Sequence, residues 1–205
     1  GESWECNEQM NLEKTIFISD MDETLFDNEK HISDRNLKAI MEYQKKGGFF
    51  TVATGRSIIG FRSYRDILNI QMPVILYNGS CIYDYQKEKI IWVNLLPKEV
   101  KTYIQKLVEK FSKLGMQIMT ESGIYSYRPT PVFKAYLKRE SISYIEVGSL
   151  DEIPDGWIKA EMTTDLVEQN DFDGFLASTI PDNVRWLATG TYSREIVSAD
   201  ASKGD

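Results

Sequence analysis

The chain has 205 residues and a formal net charge of −7, from 24 lysines and arginines against 31 acidic residues. This acidic balance argues against nucleic acid as the main partner, because binding to a phosphate backbone needs a basic surface. The two cysteines, Cys6 and Cys81, are too few for a disulfide framework, so we expect a reducing, cytoplasmic location. No apolar run approaches the roughly 20 residues of a membrane span, so no membrane partner is expected.

Strands and helices alternate in the first third of the sequence. Short apolar runs predict strands over residues 15–19, 49–53 and 74–77. A helix capped by Ser33 and ended by Gly47 lies between the first two strands, and a helix over 58–68 follows the second. This order predicts an α/β fold with a parallel sheet and right-handed crossovers, whose three strands end at the same edge.

Polar residues follow each of these strands. Asp20 and Asp22 come directly after the first, where buried carboxylates must be paired, protonated or bound to metal. The sequence Thr54-Gly55-Arg56 follows the second strand, and Asn78-Gly79-Ser80 follows the third. Ligands of open α/β sheets bind beyond the carboxyl ends of the strands, so these side chains should gather into a metal or catalytic site.

An α+β segment follows Ser80. It begins with a hairpin over 81–85 and 89–93 and continues with helices over 97–114, 131–139 and 166–178. Its further strands are predicted over 116–120, 124–127, 144–147, 158–162, 184–189 and 192–197. We therefore divide the chain into a tail (1–12), a discontinuous core (13–81 and 191–205) and an inserted domain (82–190).

Four stretches of this chain resemble motifs of the haloacid dehalogenase superfamily of phosphotransferases. The run Asp20-Met21-Asp22-Glu23-Thr24 resembles the first motif, and residues 52–56 resemble the second. Asn78-Gly79-Ser80 resembles the boundary before the large cap of the Cof-type branch, and Ser202-Lys203-Gly204 resembles the third motif. The resemblance implies a Rossmann-like parallel core with an inserted α+β cap of type IIB.

The resemblance also implies a role for each motif residue. Asp20 would be the nucleophile that forms an aspartyl-phosphate, and Asp22 the general acid and base, while both would hold Mg²⁺. Thr54 and Gly55 would bind the phosphoryl oxygens, and Lys203 would neutralise charge on the nucleophile and the phosphate.

Three further residues are candidate substrate contacts with structural alternatives. Arg56 is equally compatible with a simple pairing to an acidic residue. Asn78 and Gly79 form a common turn dipeptide, so they are also compatible with shaping the crossing between the domains.

The sequence departs from the family pattern in two places. Glu23 stands where the pattern has glycine, and the fourth motif, which supplies the remaining acidic metal ligands, is absent. We therefore expect a C-terminally incomplete core, with one side of the first strand uncovered, and a fragment with impaired activity.

The expected function is Mg²⁺-dependent hydrolysis of small phosphorylated metabolites, either sugar phosphates or phosphorylated cofactors. The alternative is a non-catalytic phosphate-binding or interaction module that keeps the fold without the complete catalytic machinery.

Overall fold

A computed structural model describes residues 15–22, 24–27, 31–164 and 169–203. The predicted tail, Glu23, the start of the helix predicted from Leu166, and Gly204–Asp205 lie outside the described residues. None of the helices in these ranges is long and apolar enough to cross a membrane.

The first unit consists of residues 15–93 and 199–203. Its alternating elements are β1 (Ile16–Ser19), α1 (Asp34–Lys45), β2 (Phe49–Val52), α2 (Ile58–Ile67) and β3 (Val74–Leu76). Strands β1 and β2 pair in parallel, and a parallel bridge between Ala53 and Ile75 joins β2 to β3. The predicted parallel order is therefore confirmed, and the three strands end at one edge.

Both helices of this unit begin at the serines that precede them. The Ser33 hydroxyl accepts a hydrogen bond from the Asn36 N–H, and the Ser57 hydroxyl accepts one from the Gly60 N–H. Such caps satisfy backbone donors that have no partner within the helix. Buried side chains of α2 and the strands, including Phe61, then fill the space between the layers.

The hairpin of β4 (Cys81–Asp84) and β5 (Lys89–Val93) continues the sheet of β3, with antiparallel pairing at each step. The second unit, residues 99–198, contains a six-stranded sheet in the order β10-β11-β9-β6-β7-β8. Its elements are α3 (Glu99–Lys110), β6 (Gly115–Thr120), β7 (Gly123–Tyr127), α4 (Pro131–Arg139), β8 (Ile145–Val147), β9 (Lys159–Thr163), α5 (Gln169–Thr179), β10 (Val184–Ala188) and β11 (Ser193–Ser198).

Near the predicted boundaries at 81/82 and 190/191, the structure shows which sheet each strand joins. The hairpin pairs with β3, so the first unit extends to Val93, and β11 lies between β9 and β10 in the second sheet. Alternation along a strand indicates that it has a buried face but does not indicate which sheet it joins, so the pattern could not give these boundaries.

The two faces of the six-stranded sheet differ in chemistry. One face packs Met116, Ile118, Ala160, Met162 and Ile196 against buried side chains of α3 and α5. Successive side chains of a strand point to opposite faces, so Gln117, Ser126, Lys159, Glu161 and Glu195 share the other face. The Lys159 ammonium bonds to a carbonyl of the first unit, so this polar face is directed toward the strand ends.

Strand β1 is partly uncovered, as expected. Among the described residues it pairs with β2 alone. Ile16, Phe17 and Ile18 are 49, 57 and 51% exposed.

The second unit is docked on the first through apolar and ionic contacts. Phe133, Leu137 and Ile142 belong to the same buried cluster as the core of the first unit. At the end of α4, the Glu140 carboxylate accepts hydrogen bonds from Arg56 at 3.0 Å and from the Tyr64 hydroxyl at 3.4 Å.

The Glu140 contact predicts a pH-dependent loss of stability. Burial opposes ionisation of Glu140, but the hydrogen bond and charge of Arg56 outweigh it, and the pKa of Glu140 is lowered. A carboxyl whose pKa is lowered by folding stabilises the protein at pH values above its pKa in the unfolded chain, which is near 4.3. This stabilisation is lost as the pH falls through the pKa of the folded state. Glu140→Gln should therefore reduce the free energy of unfolding at pH 7 by about 1–2 kcal/mol.

Urea unfolding of the wild type and of Glu140→Gln at pH 7 and pH 3 measures this effect. The difference between the two proteins should shrink at pH 3. The matched control is Glu42→Gln on the exposed surface of α1, which should change stability by less than about 0.5 kcal/mol at either pH. Equal stability of wild type and Glu140→Gln at pH 7 would show that this contact does not help to dock the two units.

Candidate active site

Asp20 and Asp22 lie in a tight turn after β1. The buried Met21 carbonyl accepts hydrogen bonds from the N–H groups of Leu25 and Phe26, which folds the chain back on itself. The Asp20 carboxylate accepts the Met21 N–H at 2.7 Å. Both carboxylates stay accessible, because the Asp20 and Asp22 side chains are 44% and 46% exposed.

Lys203 reaches Asp20 from the other end of the chain. Its ammonium lies 3.0 Å from each oxygen of the Asp20 carboxylate. The segment before it passes directly over Gly79, where φ is +97° and an added Cβ would overlap the Ser202 carbonyl. Glycine at position 79 therefore allows the returning chain to bring Lys203 to the strand ends.

The turns after β2 and β3 bond to each other. The Thr54 N–H donates to the Ile75 carbonyl at 2.9 Å, and the Thr54 carbonyl accepts the Asn78 N–H at 3.1 Å. The Thr54 hydroxyl oxygen accepts the Arg56 N–H at 3.3 Å, and Thr54 is fully buried. At Gly55 a Cβ would lie 2.6 Å from Asn78 Oδ1, so this turn also requires a glycine.

Arg56 forms a buried bridge between the units. Its guanidinium contacts Asp22 at 3.4 Å and Glu140 at 3.0 Å. It also lies over the rings of Tyr64 and Phe26, at 4.7 and 5.3 Å from their centroids. Burial lowers the pKa of Arg56, but the charges of Asp22 and Glu140 outweigh it and keep the guanidinium charged. These contacts match the interpretation that Arg56 pairs with acidic residues.

The structure adds two residues of the second unit that the sequence analysis did not single out. The Lys159 ammonium donates to the Gly55 carbonyl at 2.8 Å and to Glu195 at 2.6 Å. The Glu195 carboxylate also accepts a hydrogen bond from the Asn78 side-chain amide. A signal for Lys159 existed, because Lys159 and Glu161 alternate with apolar residues in the strand predicted over 158–162.

Three polar groups lie beside this ion pair on the same face of the sheet. Glu161 is opposite Glu195 in the strand register, and burial together with the Glu195 charge raises the pKa of Glu161 to about 7. Gln117 is opposite Glu161 and donates to the Ser126 hydroxyl at 3.3 Å. The buried Gln117 carbonyl oxygen has no hydrogen-bond partner among the described residues. This face of the sheet therefore carries a group of polar side chains next to the Lys159–Glu195 pair.

Asp20 and Asp22 supply oxygen donors of the type that Mg²⁺ prefers. Mg²⁺ is usually held by one or two carboxylates, with waters and substrate phosphate completing its octahedral shell. Within the part of the chain that the structure describes, no group of three or more His, Cys, Asp or Glu side chains is arranged to hold a metal. The donor chemistry of the two carboxylates fits Mg²⁺.

The sequence was compared with known families and proteins. Residues 17–205 match the model of the haloacid dehalogenase-like hydrolases. A 5-amino-6-(5-phospho-D-ribitylamino)uracil phosphatase of Bacillus subtilis is 42% identical over 69 residues, which are 34% of this chain and 28% of that protein. A Mycoplasma genitalium protein is 30% identical over 118 residues, covering 58% of this chain and 41% of the relative. The chain thus matches less than half the length of these relatives.

Solved structures share the fold. A haloacid dehalogenase-like hydrolase from Bacteroides thetaiotaomicron matches 92% of this chain and 73% of its own, with a TM-score of 0.79 at 19% identity. A sugar phosphatase of subclass IIB matches 92% of this chain and 72% of its own, with a TM-score of 0.75 at 19% identity. The α/β fold expected from the sequence is confirmed, and because the family match spans nearly the whole chain, this protein belongs to the haloacid dehalogenase-like hydrolases.

Proposed function

We propose that this protein is a Mg²⁺-dependent phosphomonoester hydrolase that acts through an aspartyl-phosphate on Asp20. The observation that carries the proposal is the contact of the Lys203 ammonium with both oxygens of the accessible Asp20 carboxylate. A cation held against both oxygens orients the attacking carboxylate, and it attracts an anionic substrate to the same point.

The reaction divides into two displacements at phosphorus. In the first, an Asp20 oxygen forms a bond to phosphorus while the bond to the leaving-group oxygen breaks, and Asp22 gives that oxygen its proton. In the second, the Asp22 carboxylate takes a proton from water, whose oxygen attacks phosphorus and frees Asp20 and inorganic phosphate. The Arg56 guanidinium lies 3.4 Å from the Asp22 carboxylate and would orient it for both proton transfers.

The phosphoryl oxygens would lie over the turn after β2. The Thr54 hydroxyl oxygen already accepts the Arg56 N–H, so its proton is free to be donated to phosphate. The Gly55 N–H and the Lys203 ammonium would complete the cradle. Asp20 and Asp22 would hold Mg²⁺, which when bound neutralises phosphate charge and polarises the phosphorus–oxygen bonds.

We assign the second unit the role of a cap that covers the strand ends and contacts the leaving group. The acceptors on its polar face, including the Gln117 oxygen that has no hydrogen-bond partner among the described residues, suit a small leaving group that carries hydroxyl donors. Sugar phosphates and phosphorylated cofactors with polyol chains have this chemistry. One matched relative acts on a phosphoribitylamino compound and one structural neighbour is a sugar phosphatase by name, which supports the same class.

The uncovered strand β1 supports the proposal that further residues of a longer protein complete this domain. Ile16, Phe17 and Ile18 are each about half exposed, beside a strand edge that pairs on one side among the described residues. A further strand with acidic residues at its end would cover this edge and add metal ligands. The chain alone should then bind Mg²⁺ weakly and turn over slowly.

Replacement of Asp20 tests the nucleophile. Asp20→Asn should reduce Mg²⁺-dependent release of phosphate from a generic aryl phosphate by at least about 1,000-fold, because an amide does not attack phosphorus. The assay is run on the chain and on a longer natural form of it. The control, Asp155→Asn on the surface of the second unit, should keep wild-type rates. If Asp20→Asn retains activity, Asp20 is not the nucleophile. If the chain and the longer form are both folded and both inactive, the alternative function as a non-catalytic module is favoured.

Metal removal tests the cofactor. Treatment with a chelator should lower turnover of the aryl phosphate by at least about 100-fold, and added Mg²⁺ should restore it, because the phosphate charge is no longer neutralised without the ion. Calorimetric titration should detect Mg²⁺ binding to the wild type and to Asp155→Asn, and a clear loss of binding in Asp20→Asn. Full turnover in the chelated protein would reject Mg²⁺ as the cofactor.

A further inference from the structure

The Lys159 ammonium is buried at the junction of the two units. The residue is 2% exposed, and its charge is balanced by Glu195, which is 7% exposed. Removing a lysine from water is costly unless its charge and its donors are satisfied. A buried ion pair is, moreover, often no more stabilising than an apolar pair of the same size. The position of the Lys159–Glu195 pair therefore calls for a reason other than stability.

The ion pair holds the two turns that follow β2 and β3. Lys159 donates to the Gly55 carbonyl at 2.8 Å, and Glu195 divides its two oxygens between Lys159 and the Asn78 amide. Both charged residues come from strands of the second unit, whereas both turns belong to the first. One pair of side chains thus fixes two turns of the candidate active site from outside their own unit.

The peptide between Gly55 and Arg56 is held on both sides. Its carbonyl accepts from Lys159, and its N–H donates to the Thr54 hydroxyl oxygen at 3.3 Å. If this peptide rotated, its N–H would leave the hydroxyl oxygen, and the Thr54 O–H would then be free to turn toward other acceptors. The bond from Lys159 therefore acts on the orientation of Thr54, although Lys159 is not in contact with it.

We propose that Lys159 and Glu195 are positioning residues of the phosphate-binding turn, which hold the Gly55–Arg56 peptide and the Asn78 amide so that Thr54 presents its hydroxyl proton to phosphate. This inference rests on the proposed function, because it takes Thr54 as a phosphate ligand. It also implies that the turn is fully ordered only while the second unit is docked.

The neighbouring carboxyl is consistent with this role. Glu161 lies opposite Glu195 and beside Lys159 on β9. Burial and the Glu195 charge favour its protonated form near neutral pH. Glu195 is therefore the main charged partner of Lys159, and its two hydrogen bonds orient it toward Lys159 and Asn78.

Four variants separate positioning from a merely structural role. Lys159→Met removes the bond to Gly55, and Lys159→Arg keeps a charged donor. The double variant Lys159→Met with Glu195→Gln leaves no unpaired buried charge, so it should fold even if Lys159→Met does not. Lys134→Met, an exposed lysine of α4 that is 3.9 Å from Glu146, is the matched control.

Two measurements are made on each variant. Calorimetric titration with inorganic phosphate in the presence of Mg²⁺ reports the affinity of the turn. The ¹H–¹⁵N resonances of the Arg56 backbone amide and the Asn78 side-chain amide report the two held groups directly, with no need for turnover.

We expect phosphate affinity to fall about tenfold in Lys159→Met and in the double variant, which corresponds to one charged hydrogen bond. Lys159→Arg should recover part of this loss, and Lys134→Met should match the wild type. In the double variant the Arg56 resonance should move while the Asn78 amide stays in place, because Glu195→Gln keeps a side-chain oxygen that accepts the hydrogen bond from Asn78.

The proposal is overturned if the folded double variant binds phosphate like the wild type and its Arg56 resonance is unchanged. A wild type that binds no phosphate under these conditions would reject the proposed function instead. The Arg56 and Asn78 resonances would still decide whether Lys159 and Glu195 orient the turns.

Discussion

The backbone hydrogen bonds between the turns after β2 and β3 set the geometry of the whole strand-end region. The Thr54 N–H donates to the Ile75 carbonyl in β3, and the Thr54 carbonyl accepts the Asn78 N–H. These two bonds fix the turn after β2 to β3 and to the turn that follows it. Parallel strands bring their ends to the same edge, but they do not by themselves fix the turns beyond that edge. These backbone hydrogen bonds therefore help to position Arg56, whose side chain contacts Asp22 in the turn after β1.

Charge is distributed unevenly between the layers of the molecule. The far face of the six-stranded sheet packs against α3 and α5 as an ordinary apolar core. The near face instead buries Lys159 and Glu195 against the first unit. Polar contacts are geometrically selective, and they lose much of their value when displaced by a small distance. The contact between the units is thus more specific in orientation than an apolar contact of the same area would be.

The local features of the first unit could be predicted because each depends on residues close in sequence. Serine caps, a glycine after α1 and the β-branched strands gave the order of elements, and the acids after β1 marked the site. Asp20 and Lys203 are far apart in sequence but were expected to meet because of a motif resemblance, and their side chains are in contact.

Other features depend on pairings that no local pattern encodes. Lys159 contacts a carbonyl of Gly55, more than 100 residues away, and nothing in the strand containing Lys159 indicates that partner. The same limit applies to β11, which was predicted as a strand over 192–197 and whose pairing with β9 no local pattern indicates. The β3–β5 meander is a further example, because the residues of the predicted hairpin do not indicate that it pairs with β3.

The close approach of Gly79 to Ser202 has a mechanical meaning for the two units. The chain leaves the first unit at Asn94, whose N–H donates to the Ser80 carbonyl at 2.8 Å, and it returns past Gly79 at Ser202. Both crossings therefore pass adjacent residues, Gly79 and Ser80, of the turn after β3. Lys203 follows Ser202 directly, so the contact of Lys203 with Asp20 depends on how closely the returning chain passes Gly79.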